Sequence, residues 1–296
     1  MILAAIDIGS NAARLLVKEV TETPGNTLHF NKLNLVRVPL RLGFDVFEKK
    51  IISEEKIKMF LDTMLSFKYL AQAYRVEKIK ACATSAMRDA VNGPGIIEKV
   101  WQHTGIKIEI ISGDMEANLV FENHVAENMN TDHSYMYIDV GGGSTEISFF
   151  SNGLLIFNKS FNIGTIRLLK GQLTENDWDV LKNTIKAVTK GHKEVIAIGS
   201  GGNINKVFSL SKKKDGKSLS LDLLKDYYKE LGAYSIETRM EKYNLRRDRA
   251  DVIVPALQIY IQVMRCANAN EIFVPRIGLG DGLIQHLWAE LKNKSS

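Results

Sequence analysis

Two aspartates of this chain each end a short apolar stretch and stand two residues before the first glycine of a turn. Asp7 lies in IDIGSN at 6–11, and Asp139 lies in IDVGGGST at 138–145. A carboxylate at the end of a buried strand is costly unless it is paired, hydrogen-bonded or bound to a metal. The glycines allow backbone N–H groups to approach phosphate oxygens. The pattern predicts a phosphate site at which Asp7 and Asp139 hold a divalent cation, Mg²⁺ or Mn²⁺. Ordinary Asp-Gly hairpins are the alternative.

A third glycine turn, GSGGN at 199–203, follows an apolar strand and opens a helix. Backbone N–H groups around Gly201 and Gly202 would lie at the N-terminus of that helix, where phosphate binds readily. The turn does not match the dinucleotide fingerprint, and it lacks the Gly-Lys-Ser/Thr of a P-loop. It is therefore a candidate phosphate contact, with an ordinary strand-to-helix turn as the alternative.

Two glutamates are candidates for acid–base chemistry. Glu146 directly follows the second glycine turn, and Glu116 follows the Ser-Gly pair at 112–113 and is expected to begin a helix that continues to Asn128. If the two halves of the chain face each other across a cleft, both carboxylates reach one pool of water. A general base must reach the proton that it takes, directly or through one water. Glutamates on the protein surface are the alternative interpretation.

Arg88 follows a predicted strand in TSAMR at 84–88. A guanidinium in that place can bind phosphate through two parallel hydrogen bonds, and a surface salt bridge is the alternative. The lysines at 212–214 are interpreted as a solvated loop in preference to a polyanion-binding patch. The histidines and cysteines lack zinc-ligand spacing, and the absence of a Gly-x-Ser-x-Gly elbow argues against an α/β-hydrolase.

The hydrophobic pattern places these residues on elements that occur twice in the same order. In each half, two strands flank the Asp-Gly turn, and a third strand, a helix and further strand–helix pairs follow. The corresponding landmarks are IDIGSN and IDVGGGST, ATS at 83–85 and GSG at 199–201, and SGD at 112–114 and IGLGD at 277–281. The sequence therefore predicts a duplicated β-β-β-α-β-α-β-α unit, with chance similarity of glycine turns as the alternative.

The composition is that of an ordinary globular protein. The chain has 296 residues, 45% of them hydrophobic and 25% charged, which indicates about two domains and excludes a disordered protein. No apolar run reaches the ~18 residues of a transmembrane helix, and the first residues lack the basic start of a signal peptide. Cys82 and Cys266 do not form a disulfide framework. The net charge of +5 permits an anionic ligand. We expect a cytoplasmic protein with neither a membrane nor a nucleic acid as partner.

Seven stretches carry a further pattern: AAIDIGSNAARLLV at 4–17, LRLG at 40–43, ATSAMRDAVN at 83–92, IISGDMEANLVF at 110–121, IDVGGGSTEIS at 138–148, IGSGGNI at 198–204 and RADVIVPAL at 249–257. Together they resemble the exopolyphosphatase / guanosine pentaphosphate phosphohydrolase (Ppx/GppA) family. The resemblance implies an α/β protein with a duplicated ribonuclease-H-like (actin-like ATPase, or ASKHA) fold, in which two domains enclose a cleft. We expect an N-terminal domain of residues 1–122 with 283–296, and a C-terminal domain of residues 123–282.

The resemblance also implies an activity, the Mg²⁺-dependent hydrolysis of a terminal phosphoanhydride of polyphosphate or of the 5′ end of guanosine pentaphosphate. By this resemblance, Glu116 is the base that activates water, while Asp139 and Glu146 position metal and water. The implied phosphate contacts are Ser10, Asn11, Arg88, Gly142, Gly143, Ser144 and Thr145. A homodimer is also implied.

The chain departs from the family pattern at three places. Met115 replaces the first of two adjacent glutamates, Ala12 replaces a serine or threonine, and the Gly-Asp-Gly at 280–282 replaces Arg-Glu-Gly. It resembles the short form of the family, which lacks the helical HD-type region. The departures at Met115 and Gly280 support an alternative, a protein that binds guanosine tetraphosphate, guanosine pentaphosphate or polyphosphate with little or no turnover. A sugar or acetate kinase of the same fold is a further alternative, because the glycine turns fit either reaction.

Overall fold

The computed structural model describes residues 1–23, 28–121 and 132–295 of the chain. These residues form two compact units, of which unit 1 comprises Met1–Ser112 with Leu279–Ser296 and unit 2 comprises Gly113–Gly278. The units divide at 112/113, ten residues before the expected boundary at 122/123, because the helix that begins at Gly113 belongs to unit 2. The chain returns to unit 1 at 278/279, shortly before the expected 282/283, because a helix begins there.

The elements follow one another in nearly the predicted order. Unit 1 begins with β1 (Ile2–Ile8), β2 (Ala13–Glu22), β3 (Leu28–Val38), α1 (Gly43–Lys49), α2 (Glu54–Ala73), β4 (Lys78–Ala83), α3 (Ser85–Asp89), α4 (Gly93–Thr104) and β5 (Ile108–Ile110). Unit 2 contains α5 (Gly113–Phe121), β6 (Ser134–Val140), β7 (Thr145–Ser151), β8 (Leu154–Phe161), α6 (Thr165–Leu169), α7 (Glu175–Thr189), β9 (Val195–Ser200), α8 (Gly202–Leu210), β10 (Leu219–Ser220), α9 (Leu221–Gly232), α10 (Ile236–Tyr243), α11 (Arg247–Ala250), α12 (Ile253–Cys266) and β11 (Glu271–Phe273). Helix α13 (Leu279–Ser295) then completes unit 1.

The two sheets share one topology, which confirms the predicted duplication. Unit 1 has the strand order β3-β2-β1-β4-β5, and unit 2 has the order β8-β7-β6-β9-β11 with β10 added at the far edge. In both sheets the first three strands are antiparallel neighbours, and the next strand pairs in parallel with the first. The first strand of each half is therefore central, and its carboxyl end carries the Asp-Gly turn.

The local sequence explains where several helices begin. Thr174 forms a capping box with Asp177 at the start of α7, as its residue type favours. Ser53 has the right residue type before α2, but its hydroxyl donates to Asp45 Oδ2 at 2.6 Å and makes no cap bond. Within the described ranges, no helix combines the length and apolar character needed to cross a bilayer.

The last helix of each repeat packs in the other unit. Helix α5, which follows β5, packs against β7 and β8, whereas α13, which follows β11, packs against β1, β2 and β4. The helix predicted from Glu116 to Asn128 is α5. It begins three residues earlier than predicted, at Gly113, and its predicted end lies outside the described residues. As a result, Glu116 belongs to unit 2 although its motif ends the first repeat.

Candidate active site

Four polar residues form a row across one face of the unit 2 sheet. Asp139 on β6 is the register partner of both Glu146 on β7 and Ser200 on β9, and Glu146 is the partner of Ser160 on β8. Register partners point to the same side of a sheet. Glu146 is 3% exposed, and Ser160 Oγ donates to its Oε1 at 2.7 Å. The row therefore holds two carboxylates side by side, one of them buried and hydrogen-bonded.

Helix α5 brings Glu116 onto the strands that carry this row. The start of α5 lies so close to β8 that a Cβ on Gly113 would come within 2.5 Å of Ser160 Oγ. Asn158 of β8 holds the same helix, because its Nδ2 donates to Asn118 Oδ1 at 2.5 Å. Glu116 is itself buried. The structure thus places Glu116 and Glu146, the two predicted acid–base residues, in one compact unit on elements that pack directly together.

The glycine turn at 141–144 has its carbonyl groups fixed on one side. Thr165 N–H donates to Gly141 O at 3.0 Å, Ile166 N–H donates to Gly142 O at 2.8 Å, and Arg167 Nε donates to Gly143 O at 2.7 Å. In a trans peptide the next N–H points opposite to the carbonyl. The N–H groups of residues 142, 143 and 144 therefore point away from α6, as a concave anion site requires.

The side chains of this turn differ in what they can offer a ligand. Ser144 and Thr145 are both buried. The Thr145 hydroxyl donates to Ile163 O at 2.5 Å, so its proton is already used within the protein. The N–H groups beside Gly142 and Gly143 are consequently better placed than the Thr145 hydroxyl to donate hydrogen bonds to an anion.

Unit 1 repeats the same turn at 9–12. Gly9 N–H donates to Ala12 O at 3.0 Å, just as Gly141 N–H donates to Ser144 O at 2.9 Å. The carbonyls of Ser10 and Asn11 accept from the N–H groups of Gly43 and Arg41. The LRLG stretch at 40–43 therefore fixes the carbonyl groups of the first turn by hydrogen bonds, as residues 165–167 fix those of the second. Since Ala12 contributes only its backbone carbonyl, this departure leaves the turn intact.

Three predicted contacts of unit 1 have partners within that unit. Ser10 Oγ lies 2.8 Å from Ser85 Oγ, and Arg88 Nη1 donates to Ile111 O at 2.7 Å. Asp7 Oδ1 accepts from Arg14 Nη1 at 2.8 Å. Burial raises the pKa of the Asp7 carboxyl above its ordinary value, although the Arg14 guanidinium acts against that shift. Asp7, Ser10, Asn11 and Arg88 all belong to unit 1, whereas the other predicted site residues belong to unit 2.

The third glycine turn lies beside the same row of unit 2. Gly201 has φ +103°, and a Cβ on it would lie 2.9 Å from Asp139 Oδ1. A Cβ on Gly202 would lie 2.5 Å from an Arg249 nitrogen. Gly201 requires glycine because of its left-handed backbone geometry, whereas a Cβ on Gly202 would displace the Arg249 guanidinium. The predicted phosphate contact at Gly201 and Gly202 therefore has a carboxylate on one side and a cation on the other.

The sequence model of the Ppx/GppA phosphatase family matches residues 23–290. The chain belongs to this family. A guanosine-5′-triphosphate,3′-diphosphate pyrophosphatase of Photobacterium profundum is 23% identical over 304 residues, covering 98% of this chain and 60% of the relative. A bifunctional 3-dehydroquinate synthase/phosphatase of Fusobacterium nucleatum is 34% identical over 168 residues, covering 56% of this chain and 25% of the relative. The chain thus spans 60% or less of the length of both relatives.

Solved structures of the family confirm the expected fold. A structure described as an exopolyphosphatase from Cytophaga hutchinsonii superposes with a TM-score of 0.81 at 23% identity, covering 98% of each chain. This Ppx/GppA protein therefore has the duplicated ribonuclease-H-like, actin-like ATPase fold that its sequence implies.

Sequence reasoning does not identify two residues that lie beside the third glycine turn of this Ppx/GppA protein. Arg249 Nη1 donates to Asn203 Oδ1 at 2.7 Å beside Gly202. Tyr260 is fully buried, and its hydroxyl donates to Ser200 O. Burial raises the pKa of Tyr260, and the charges of Asp139 and Glu146 add to that shift, so the phenol stays protonated. The only sequence signal is that Arg249 opens the stretch RADVIVPAL.

Proposed function

We propose that this protein hydrolyses the terminal phosphoanhydride bond of inorganic polyphosphate, of guanosine pentaphosphate, or of both. The arrangement of unit 2 carries the proposal, because Glu116, Glu146 and Asp139 share a compact unit with a turn whose N–H groups suit an anion. The name of the Photobacterium relative supports guanosine pentaphosphate as one substrate.

In the proposed reaction, the N–H groups of residues 142–144 bind oxygens of the terminal phosphate. Glu116 takes a proton from a water that attacks the phosphorus in line with the leaving oxygen. Glu146, which Ser160 holds in place, orients that water. Phosphoryl transfer depends mainly on positioning and on neutralising charge, and these contacts supply both.

The donors in unit 2 fit the predicted Mg²⁺ or Mn²⁺. Asp139 and Glu146 are adjacent carboxylates, and Mg²⁺ commonly binds one or two carboxylates and keeps several waters. No group of three His, Cys, Asp or Glu side chains suited to a metal occurs in the described ranges, so no third ligand of these types joins Asp139 and Glu146 there. When bound, the cation would neutralise charge on the phosphate oxygens. Asp7, the other predicted ligand, already accepts from Arg14.

Removal of divalent cations is expected to lower phosphate release at least tenfold. The physical reason is that Asp139 and Glu146 repel a phosphoanhydride unless a cation offsets their charge. The measurement is phosphate release after dialysis against EDTA, followed by readdition of Mg²⁺ or Mn²⁺. Full activity in EDTA would contradict the assignment of Asp139 and Glu146 as cation ligands.

Ser160→Ala is expected to lower kcat about tenfold. The substitution removes a hydrogen bond to a buried carboxylate, and such bonds contribute about 1.5–3 kcal/mol. Alanine retains the Cβ that lies under Gly113, so α5 keeps its place. Steady-state kinetics check the prediction, with Ser134→Ala as a control that removes a buried, hydrogen-bonded serine hydroxyl elsewhere on the same sheet. Equal losses in both variants would indicate a general stability effect.

A second candidate is a protein that binds these ligands with little turnover. The observation that favours it is at Gly280, where the family usually has an arginine. A Cβ there would lie 3.7 Å from Asp7 Oδ2, so at this position the chain lacks the charged side chain that an arginine would place near that buried carboxylate. Gly280→Arg, with Met115→Glu, is the reversion to make if the wild-type protein binds but releases no phosphate.

The deciding experiment measures phosphate release from long polyphosphate, tripolyphosphate and guanosine pentaphosphate in parallel, with Mg²⁺ present. Release from at least one substrate is expected. Tight binding without release would favour the second candidate, and transfer of phosphate to a sugar or to acetate would favour a kinase. Light scattering of the same sample tests the predicted homodimer.

A further inference from the structure

Ser200 is a buried serine whose hydroxyl makes no hydrogen bond within the described residues. The residue ends β9 and is 2% exposed. Its Oγ has no hydrogen-bond partner anywhere in residues 1–23, 28–121 or 132–295. A buried hydroxyl without a partner destabilises the folded protein. Such a group suggests that something outside the chain completes it.

The surroundings hold this hydroxyl beside the third glycine turn. Ser200 is the register partner of Asp139, and Gly201 follows it directly. Its backbone carbonyl accepts from the buried Tyr260 hydroxyl, which fixes the main chain at this point. The strand and the Tyr260 hydroxyl therefore hold the Ser200 backbone beside the turn.

Two positive features beside Ser200 favour an anionic oxygen as the missing partner, once the cation proposed above offsets the Asp139 and Glu146 carboxylates. Helix α8 begins at Gly202, and no side chain caps it because Gly201 has none. The N-terminus of a helix attracts anions. The Arg249 guanidinium adds a positive charge beside Gly202 and offsets the nearby Asp139 carboxylate.

We propose that Ser200 Oγ donates a hydrogen bond to a non-bridging phosphate oxygen of the phosphoanhydride substrate bound at the turn 201–202. The inference rests on the proposed function, since it names a contact within that site. It makes Ser200 a substrate-binding residue and Tyr260 a positioning residue that acts through the Ser200 carbonyl.

The test uses Ser200→Ala in the full chain, with Glu116→Gln as background to prevent turnover. Two effects of opposite sign are expected. Binding of tripolyphosphate or guanosine pentaphosphate with Mg²⁺, measured by calorimetry, is expected to weaken about tenfold to a hundredfold, because a hydrogen bond to a charged group is lost. The Tm without ligand is expected to rise by about 2–4 °C, because an unsatisfied buried hydroxyl is removed.

Ser151→Ala is the matched control. Ser151 is a buried serine at the far end of β7, and its Oγ accepts from Ser134 Oγ at 3.1 Å. Its removal is expected to lower the Tm and to leave both dissociation constants unchanged. The pair of variants therefore separates a hydroxyl kept for a ligand from one kept for stability.

Each other outcome has a distinct meaning. Unchanged binding in Ser200→Ala, or weaker binding with a lowered Tm, overturns the role of Ser200 and leaves the proposed hydrolysis standing. If neither probe binds the Glu116→Gln protein and the wild-type protein releases no phosphate, the proposed function and the Ser200 contact both fail.

Discussion

Glu116→Gln is expected to reduce kcat for phosphate release by about 10²–10⁴, the usual contribution of a general base. Glutamine keeps the size and hydrogen-bonding ability of the side chain but cannot accept a proton from water. Glu116 is buried on α5, which packs against β7 and β8, so the substitution changes the chemistry with little change in packing. The measurement is single-turnover phosphate release at saturating substrate, with circular dichroism to verify folding.

Asp114→Asn is the matched control for this variant. Asp114 lies in the first turn of the same helix, and its side chain is exposed. The substitution therefore removes one negative charge, as Glu116→Gln does, but at the surface. It is expected to retain activity within about twofold, since surface substitutions away from a site have small effects. Near wild-type turnover in folded Glu116→Gln would show that another residue is the base, and Glu146 would be the next to test.

Gly164→Ala is expected to reduce activity by about 10² and to destabilise the protein by about 1–3 kcal/mol. A Cβ at residue 164 would lie 2.5 Å from the carbonyl carbons of Gly142 and Gly143, so the turn at 141–144 must move. Backbone atoms cannot rotate away as a flexible side chain can, and overpacking costs energy of this size. A displacement of about 1 Å in positioning groups is enough for a loss of this size in rate.

The measurement combines urea unfolding with steady-state kinetics, and Gly232→Ala provides the control. Gly232 ends helix α9 in the same unit, and the nearest atom to its added Cβ is 4.0 Å away. That variant is expected to be neutral or slightly stabilising, because alanine favours helix more than glycine does. If Gly164→Ala keeps full activity, the turn at 141–144 does not position the substrate.

The sequence was sufficient to predict the repeated elements, because they depend on local patterns. Apolar runs ending in Asp-Ile-Gly and Asp-Val-Gly locate the central strand of each sheet. The turns themselves follow from glycine, whose freedom at φ +103° in Gly201 no other residue shares.

Long-range packing explains what the sequence did not reveal. Nothing near Glu116 in the sequence indicates that α5 packs against β8, a strand that begins at Leu154. Likewise, Arg249 and Tyr260 reach the third glycine turn only because α11 and α12 pack in unit 2. Their residue types carry no signal of that position, since arginine is common on surfaces and tyrosine in cores.

The exchange of α5 and α13 sets an order in which the protein can fold during synthesis. Unit 2 is a continuous segment, so its elements can assemble as soon as Gly278 has left the ribosome. Unit 1 is discontinuous, and its strands β1, β2 and β4 lack their packing partner until α13 is made. At a synthesis rate of about 5–20 residues per second, the apolar face of those strands stays uncovered by α13 for on the order of ten seconds or longer. The N-terminal unit is therefore the last to finish folding, and the nascent chain is most exposed to aggregation or chaperone binding at β1, β2 and β4.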